Sequence, residues 1–188
     1  MNIIVKTAQG HIIVRPDTTW EKDNADFFPP DFVERLTFTP AVFARILKPG
    51  RSIGRRFASR YYDAVNFGVL LYPENLMDNF LESFATASCL DHTSFLPAPM
   101  YNPVTLGVEG NSFILKRNDE VIFEYDAATR GMIEEAITEA TKMVYIRTGD
   151  LIAIELDSRR ALCDRDGGKT RVTGSWCDNP ILDFNIVF

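Results

Sequence analysis

Branched and aromatic residues recur along the chain in short runs broken by glycine, proline, asparagine and aspartate, the pattern of strands joined by turns. Asn2–Thr7 and His11–Arg15 flank Ala8-Gln9-Gly10, where glycine supplies the positive φ of a tight reversal, so the chain opens on a hairpin. From Pro16 to Pro40 the sequence is polar, aromatic and proline-broken, which predicts an arm packed on the main sheet with a short helix over Pro30–Leu36. Lys48–Arg56, with Pro49, Gly50 and Gly54, reads as a loop, and Tyr61–Tyr72 as a long central strand. Phe113–Lys116 and Val121–Tyr125 flank Arg117-Asn-Asp-Glu120, a hairpin turn in which Asn and Asp tolerate left-handed backbone. Leu151–Leu156, Lys169–Thr173 and Asp183–Phe188 add strands, with Asp164–Gly168 as a hairpin tip. One segment has helical period: Met132, Ile133, Ala136, Ile137, Ala140 and Met143 predict a helix over Ala128–Val144, N-capped by Asp126 or Thr129. The fold class is therefore mainly β (α+β), a mixed and mostly antiparallel sheet with one substantial helix.

A length of 188 residues suits a single domain, and 46% hydrophobic with 24% charged residues exclude disordered, collagen-like and coiled-coil classes. A formal charge of −6 opposes nucleic-acid binding through a general basic surface. No apolar run reaches the ~18 residues of a membrane span, and the start is too short an apolar segment for a signal peptide. A cytoplasmic protein is expected, without nucleic-acid or membrane partners. Cys89, Cys163 and Cys177, at wide and unpatterned spacing, make neither a disulfide framework nor a zinc module and are expected to be small buried hydrophobes.

Several pieces, taken in order, resemble the fumarylacetoacetate hydrolase family. Phe43-Ala-Arg-Ile-Leu-Lys48-Pro49-Gly-Arg-Ser52 is similar to that family's Phe, Lys-Pro and Ser pattern before its main strand. Tyr62-Asp-Ala-Val-Asn-Phe-Gly-Val-Leu-Leu71 resembles the strand that usually reads Asp-Tyr-Glu-x-Glu-Leu. Asp91-His-Thr-Ser-Phe-Leu-Pro97 is similar to the segment leading to Asp-Thr-Phe-x-Pro, and Asn118-Asp-Glu120 to the Asn-Gly-Glu hairpin. Arg147-Thr-Gly-Asp-Leu-Ile152 resembles the Pro-Gly-Asp-x-Ile strand entry, and Asn185 sits in a final strand like the family's own. The resemblance implies a β-roll core over residues 43–188 behind an N-terminal hairpin and arm at 1–42. It also implies hydrolysis, decarboxylation or isomerisation of a keto or enol acid with a divalent metal, and a homodimer. Phe27, Phe28, Tyr61 and Tyr62 are aromatics of the kind enriched at interfaces.

The departures from the family pattern fall on the chemistry. Two carboxylates at i and i+2 on a strand share one face and grip one metal with hard oxygen ligands. Here those positions read Ala64 and Asn66, or Asp63 and Val65 if the register slips by one. The Thr-Gly-Thr substrate turn of the family is replaced by Ala153-Ile-Glu-Leu156. Asp91, with Asn66 or Asp63, is the remaining ligand set for Mg or Mn, and His92 the candidate catalytic base, against the plainer role of a turn cap and a local hydrogen bond. Lys48, Arg51 and Ser52 are the candidate residues for a small carboxylate ligand. Lys48, Arg51, Arg55, Arg56 and Arg60 together can bind an anion or form a solvated basic loop. Cys89 with His92 is a weak thiolate–imidazolium pair, and Asp164, Asp166 and Gly167 fit a turn better than a calcium loop. Glu134, Glu135 and Glu139 read as a solvated helix face. Two functions remain open: a divergent keto- or enol-acid enzyme, and a non-catalytic binding or assembly protein that keeps the fold.

Overall fold

Two twelve-residue strands, β4 (Arg35–Ile46) and β5 (Tyr62–Pro73), pair antiparallel through the middle of the molecule and are buried on both faces. The computed structural model describes residues 1–77 and 81–188. Around that pair an eight-stranded sheet has β1 (Asn2–Lys6), β2 (Ile12–Pro16), β3 (Trp20–Glu21), β6 (Ser94–Phe95), β9 (Leu151–Glu155) and β10 (Arg160–Asp164). Its order is β2-β1-β9-β4-β5-β6-β3, with β10 also on β4. The β1·β9 and β3·β6 pairs are parallel and the others antiparallel. A second, antiparallel sheet has the order β12-β11-β7-β8, from β7 (Phe113–Arg117), β8 (Glu120–Tyr125), β11 (Lys169–Trp176) and β12 (Asn179–Val187). Three α-helices are described, α1 (Arg55–Ala58), α2 (Leu81–Ala87) and α3 (Arg130–Met143), beside short 3-10 turns.

The first sheet curls. Arg15, on β2 at one end of the strand order, donates through Nη2 to the Leu71 carbonyl of β5 and to Thr93 Oγ1 beside β6, so the two ends of the sheet meet. Ile3, Val5, Ala41, Phe43, Leu70, Tyr72, Leu96, Leu151 and Ala153 form one packed cluster on the enclosed face. The opposite face, with Val42, Ala44, Val65, Phe67, Val69 and Leu71, packs with the second sheet and with Ile133, Ala136 and Ile137 of α3. Phe67 stacks on Phe113 at 4.9 Å and meets Trp176 edge-on at 4.8 Å, filling the space between the sheets with aromatic rings.

Most expected elements are present within a residue or two, including the opening hairpin with Gly10 at φ +83° and α3 behind N-cap Thr129. The Asn118-Asp119 turn has φ 46° and 68°, the left-handed backbone expected of those residues. The helix expected over Pro30–Leu36 is not formed. Only a turn closes there, Val33 N–H to Pro30 O, and the chain then enters β4. Pro40 hides this strand from its sequence, because proline lacks the N–H that a central ladder needs. The Pro40 carbonyl accepts from Leu156 N–H just where the β9 pairing ends and before β10 begins, so its missing donor faces a gap in the ladder. β4 thus runs through positions 42 and 43, joining the N-terminal segment to the core in one strand.

The cysteines also differ from expectation: Cys89 is exposed, and Cys163 and Cys177 are half-buried. Burial pushes the Cys163 thiol up to about 12. Of the four aromatics considered for a dimer interface, Phe27 and Tyr62 lie in the core, Tyr61 is half-buried, and Phe28 is 68% exposed. Among the described residues no helix is long and apolar enough to cross a membrane.

Candidate functional site

β5 carries or borders most of the residues singled out from the sequence, and their positions along it decide what they can do together. Ala64 and Asn66 alternate with Val65 and lie on the enclosed face of the curled sheet. Asn66 is fully buried. Its Nδ2 donates to the carbonyls of Pro97 and Pro99, both at 3.1 Å, and its Oδ1 accepts the Phe67 N–H at 2.8 Å. The amide therefore ties β5 to the 97–99 loop, with both donors and its acceptor engaged inside the protein. Ala64 adds only a methyl group. Asp63 sits beside a register shift and is held by both Arg45 Nε, at 3.0 Å, and Arg45 Nη2, at 2.7 Å. That bond raises the Arg45 pKa against the opposing effect of partial burial.

Lys48, Arg51 and Ser52 lie in the connection that leaves β4 at this end. Gly50 bridges to Ile146, and Ser52, at φ 52°, donates its N–H to the Thr141 carbonyl of α3. All three side chains are exposed, and the Lys48 ammonium stands 5.5 Å from the Tyr61 ring centre. Asp91 and His92 are at the other end of β5, where Leu71 N–H meets Thr93 O. From Tyr62 to Leu71 the strand advances about 30 Å. The structure consequently separates the candidate base from the candidate carboxylate-binding cations, and Asp91 from Asn66 and Asp63. Among the described residues no group of three or more His, Cys, Asp or Glu side chains is placed to hold a metal ion.

What the fold does bring together is a cleft of about 540 Å³ lined by Glu21, Asp26, Phe28, Cys89, Asp91 and His92 among others. His92, at φ 56°, donates its N–H to the Thr18 carbonyl, which aims the ring so that Nδ1 lies 3.4 Å from Glu21 Oε2. The other Glu21 oxygen accepts the N–H groups of Asp23 and Ala25, fixing the carboxylate against the chain that follows β3. Asp26 accepts from both the backbone and the side-chain amide of Asn185, and these bonds hold its carboxyl below the usual range. The cleft joins a carboxylate-oriented imidazole to an exposed thiol and an exposed aromatic ring. Glu21 and Asp26 were not visible as partners in the sequence, since the pairing of β3 with β6 brings Glu21 there and the Phe27·Ile186 bridge to β12 brings Asp26.

Two further polar groups were also missed. Arg15 is completely buried; it bonds Ser88 O, Leu71 O and Thr93 Oγ1, lies 4.9 Å over the Tyr72 ring, and burial pulls its pKa down. Burial likewise raises the Tyr72 phenol, which donates to Glu155. An arginine after Ile12-Ile-Val14 reads as a solvent-facing strand residue, and only the curl of the sheet encloses it. On α3, Glu135 and Glu139 are not simply solvated. Lys6 reaches both, at 2.8 and 2.7 Å, and Arg55 reaches Glu135 at 3.6 Å. Partial burial would lower the Lys6 pKa, but the two carboxylates outweigh it and raise it, while the bond from Lys6 lowers that of Glu135. Asp164 accepts the Gly167 N–H in a turn, the role expected of it.

The curled mixed sheet with a second antiparallel sheet across one face is the fumarylacetoacetate hydrolase fold, although in sequence no family model and no curated protein matches the chain. It is similar to fumarylpyruvate hydrolase from Pseudomonas aeruginosa in complex with Mn2+ and pyruvate, with a TM-score of 0.82 at 13% identity over 100% of this chain and 90% of that one. It is also similar to 5-carboxymethyl-2-hydroxymuconate delta-isomerase from Mycobacterium smegmatis, with a TM-score of 0.75 at 12% identity over 99% of this chain and 78% of that one. Identities this low establish a shared scaffold, and one scaffold hosts many functions.

Proposed function

We propose that this chain uses the fumarylacetoacetate hydrolase scaffold as a non-catalytic binding or assembly protein. The observation that carries this reading is Asn66. Where a strand carboxylate would face a divalent ion, the chain has an amide whose hydrogen bonds all go to its own backbone, two residues from an alanine. Mg and Mn require several oxygen ligands with at least one or two carboxylates, and Ala64, Asn66 and the Arg45-held Asp63 do not offer them. The residues that remained as an alternative set lie at opposite ends of β5, which supports the same conclusion.

The His92 cleft favours a second reading, a hydrolase, decarboxylase or isomerase of a small keto or enol acid. There Glu21 would orient the imidazole and His92 would take the proton from carbon or water. Calorimetry with manganese and magnesium, alongside a panel of keto and enol acids, separates the two. Under the first reading the protein shows no saturable metal binding and no turnover above buffer. Stoichiometric metal binding that Asp91→Ala abolishes, or turnover that His92→Gln abolishes, would establish the enzyme instead.

A further inference from the structure

The chain is acidic overall, yet residues 35–62 contain seven of its 20 cations and none of its 26 acids. The fold gathers most of these in the connection between β4 and β5, of which Ser52 and Ile53 meet the C-terminal end of α3 and Arg55 meets its first half. Arg55 is paired with Glu135. Lys48, Arg51, Arg56 and Arg60 are exposed, and among the described residues none of them makes an ion pair. α3, which packs against α1, carries Glu134, Glu135 and Glu139, and among the described residues only Glu135 of these is paired with the connection, through Arg55.

This surface is not a simple solvated loop, because its cations are organised on apolar side chains. The guanidinium groups of Arg56 and Arg60 lie 4.5 and 5.6 Å from the centre of the Phe57 ring, and that ring is itself 39% exposed. The antiparallel pairing of residues 46–50 with 146–150 places exposed Leu47 near Gly149 and exposed Tyr145 near Arg51. Arginine with aromatic residues is the composition enriched in the energetic centres of protein interfaces. Charge complementarity chooses the occupant. A second copy docked two-fold on this face would oppose cation to cation. A long polyanion or an anionic membrane would meet the excess acid on the rest of the chain as well. A short acidic segment can reach the four unpaired cations without spanning the acidic remainder of the chain, and exposed Leu47 and Tyr145 offer contact to its apolar side chains.

We propose that the surface of Lys48, Arg51, Arg56, Phe57 and Arg60 docks an acidic, hydrophobically anchored segment of another protein. The proposal names a partner class for the non-catalytic reading and rests on it. Metal binding and turnover report on that reading alone, and the following measurement reports on the docking surface. The probe is a fluorescein-labelled peptide of repeated Asp-Glu-Leu-Phe units, followed by fluorescence anisotropy on the full chain. Saturable binding is expected, weakened by salt and reduced about tenfold by Arg56→Glu with Arg60→Glu. The charge-matched pair Lys169→Glu with Arg171→Glu should bind like the wild type, and Phe57→Ser should weaken binding without changing its salt dependence. Circular dichroism melting of each variant confirms folding. Each of these results overturns the proposal: no saturable binding, equal loss in the two charge-reversal pairs, or tighter binding of a thymidine oligonucleotide or phosphatidylglycerol vesicles than of the peptide. A wild-type dimer in light scattering that Arg56→Glu with Arg60→Glu dissociates gives the face to a second copy and also overturns it.

Discussion

The two ends of β5 treat polar residues in opposite ways. Near its start, Asn66 has every hydrogen-bonding group engaged by backbone within the protein, and the Gly68 backbone beside it packs directly against Phe95. Near its end, the imidazole of His92 has one contact to Glu21 and otherwise faces an open cleft. A buried polar side chain whose two donors and whose acceptor are each engaged by backbone acts as a structural element. One held by a single oriented partner at a cleft remains available. The difference teaches that residue type alone is a poor guide to a site: Asn66 carries an amide oxygen of the kind that can hold a cation and acts as a brace between β5 and the 97–99 loop.

Substitutions along β5 test this contrast directly, and the largest effect is expected at Gly68. A Cβ there would lie 2.1 Å from the Phe95 carbonyl oxygen, a backbone atom that cannot swing aside. Gly68→Ala should cost about 3 kcal/mol in urea denaturation, because β5 and β6 must separate to admit the methyl. A loss below about 0.5 kcal/mol would mean that the closed end is looser than described.

The next effect belongs to the brace. Asn66→Asp removes the two donors and turns a carboxylate toward the Pro97 and Pro99 carbonyls in a fully buried place, at an expected cost of about 2 kcal/mol near neutral pH. Burial and the facing acceptors raise the folded-state pKa of such a carboxyl above its unfolded value. The penalty therefore grows as pH rises through the unfolded pKa and levels off above the folded one. Denaturation at about pH 4 and about pH 7 should show the variant closer to wild type at the lower value. A penalty independent of pH would indicate that the site admits water.

The smallest effect is expected at the open end. His92→Ala removes an exposed ring with one 3.4 Å contact, so stability should stay within about 0.5 kcal/mol of wild type. A larger loss would show that the cleft is part of the core, and the contrast between the two ends of β5 would disappear.

Local periodicity determined much of the fold. The helix spacing of Met132 to Met143, the strand run from Tyr61 to Tyr72 and the turns at Gly10, Asn118 and Asp164 each carry their instruction within a few residues, because capping, alternation and left-handed backbone are local requirements. The order of the family-like pieces pointed to the right scaffold, and the absence of a second carboxylate at i and i+2 along this strand was legible from spacing. β4 was not legible. Both of its faces are buried, so it lacks alternation, and Pro40 is tolerated only because of a gap between two partners brought from more than a hundred positions away.

The candidate site divided along the same line. Residue types were visible in the sequence; convergence was not, since it depends on which strands become neighbours. The pairing of β3 with β6 placed Glu21 against His92 and left Asp91 far from Asn66. The curl of the sheet enclosed Arg15, and the bridge of Gly50 to Ile146 turned the basic connection into a shared surface with the end of α3. Hydrogen-bond satisfaction and charge pairing are properties of neighbours in space. A sequence states which groups a chain has, and only the packed structure decides which are used up within it and which remain for a partner.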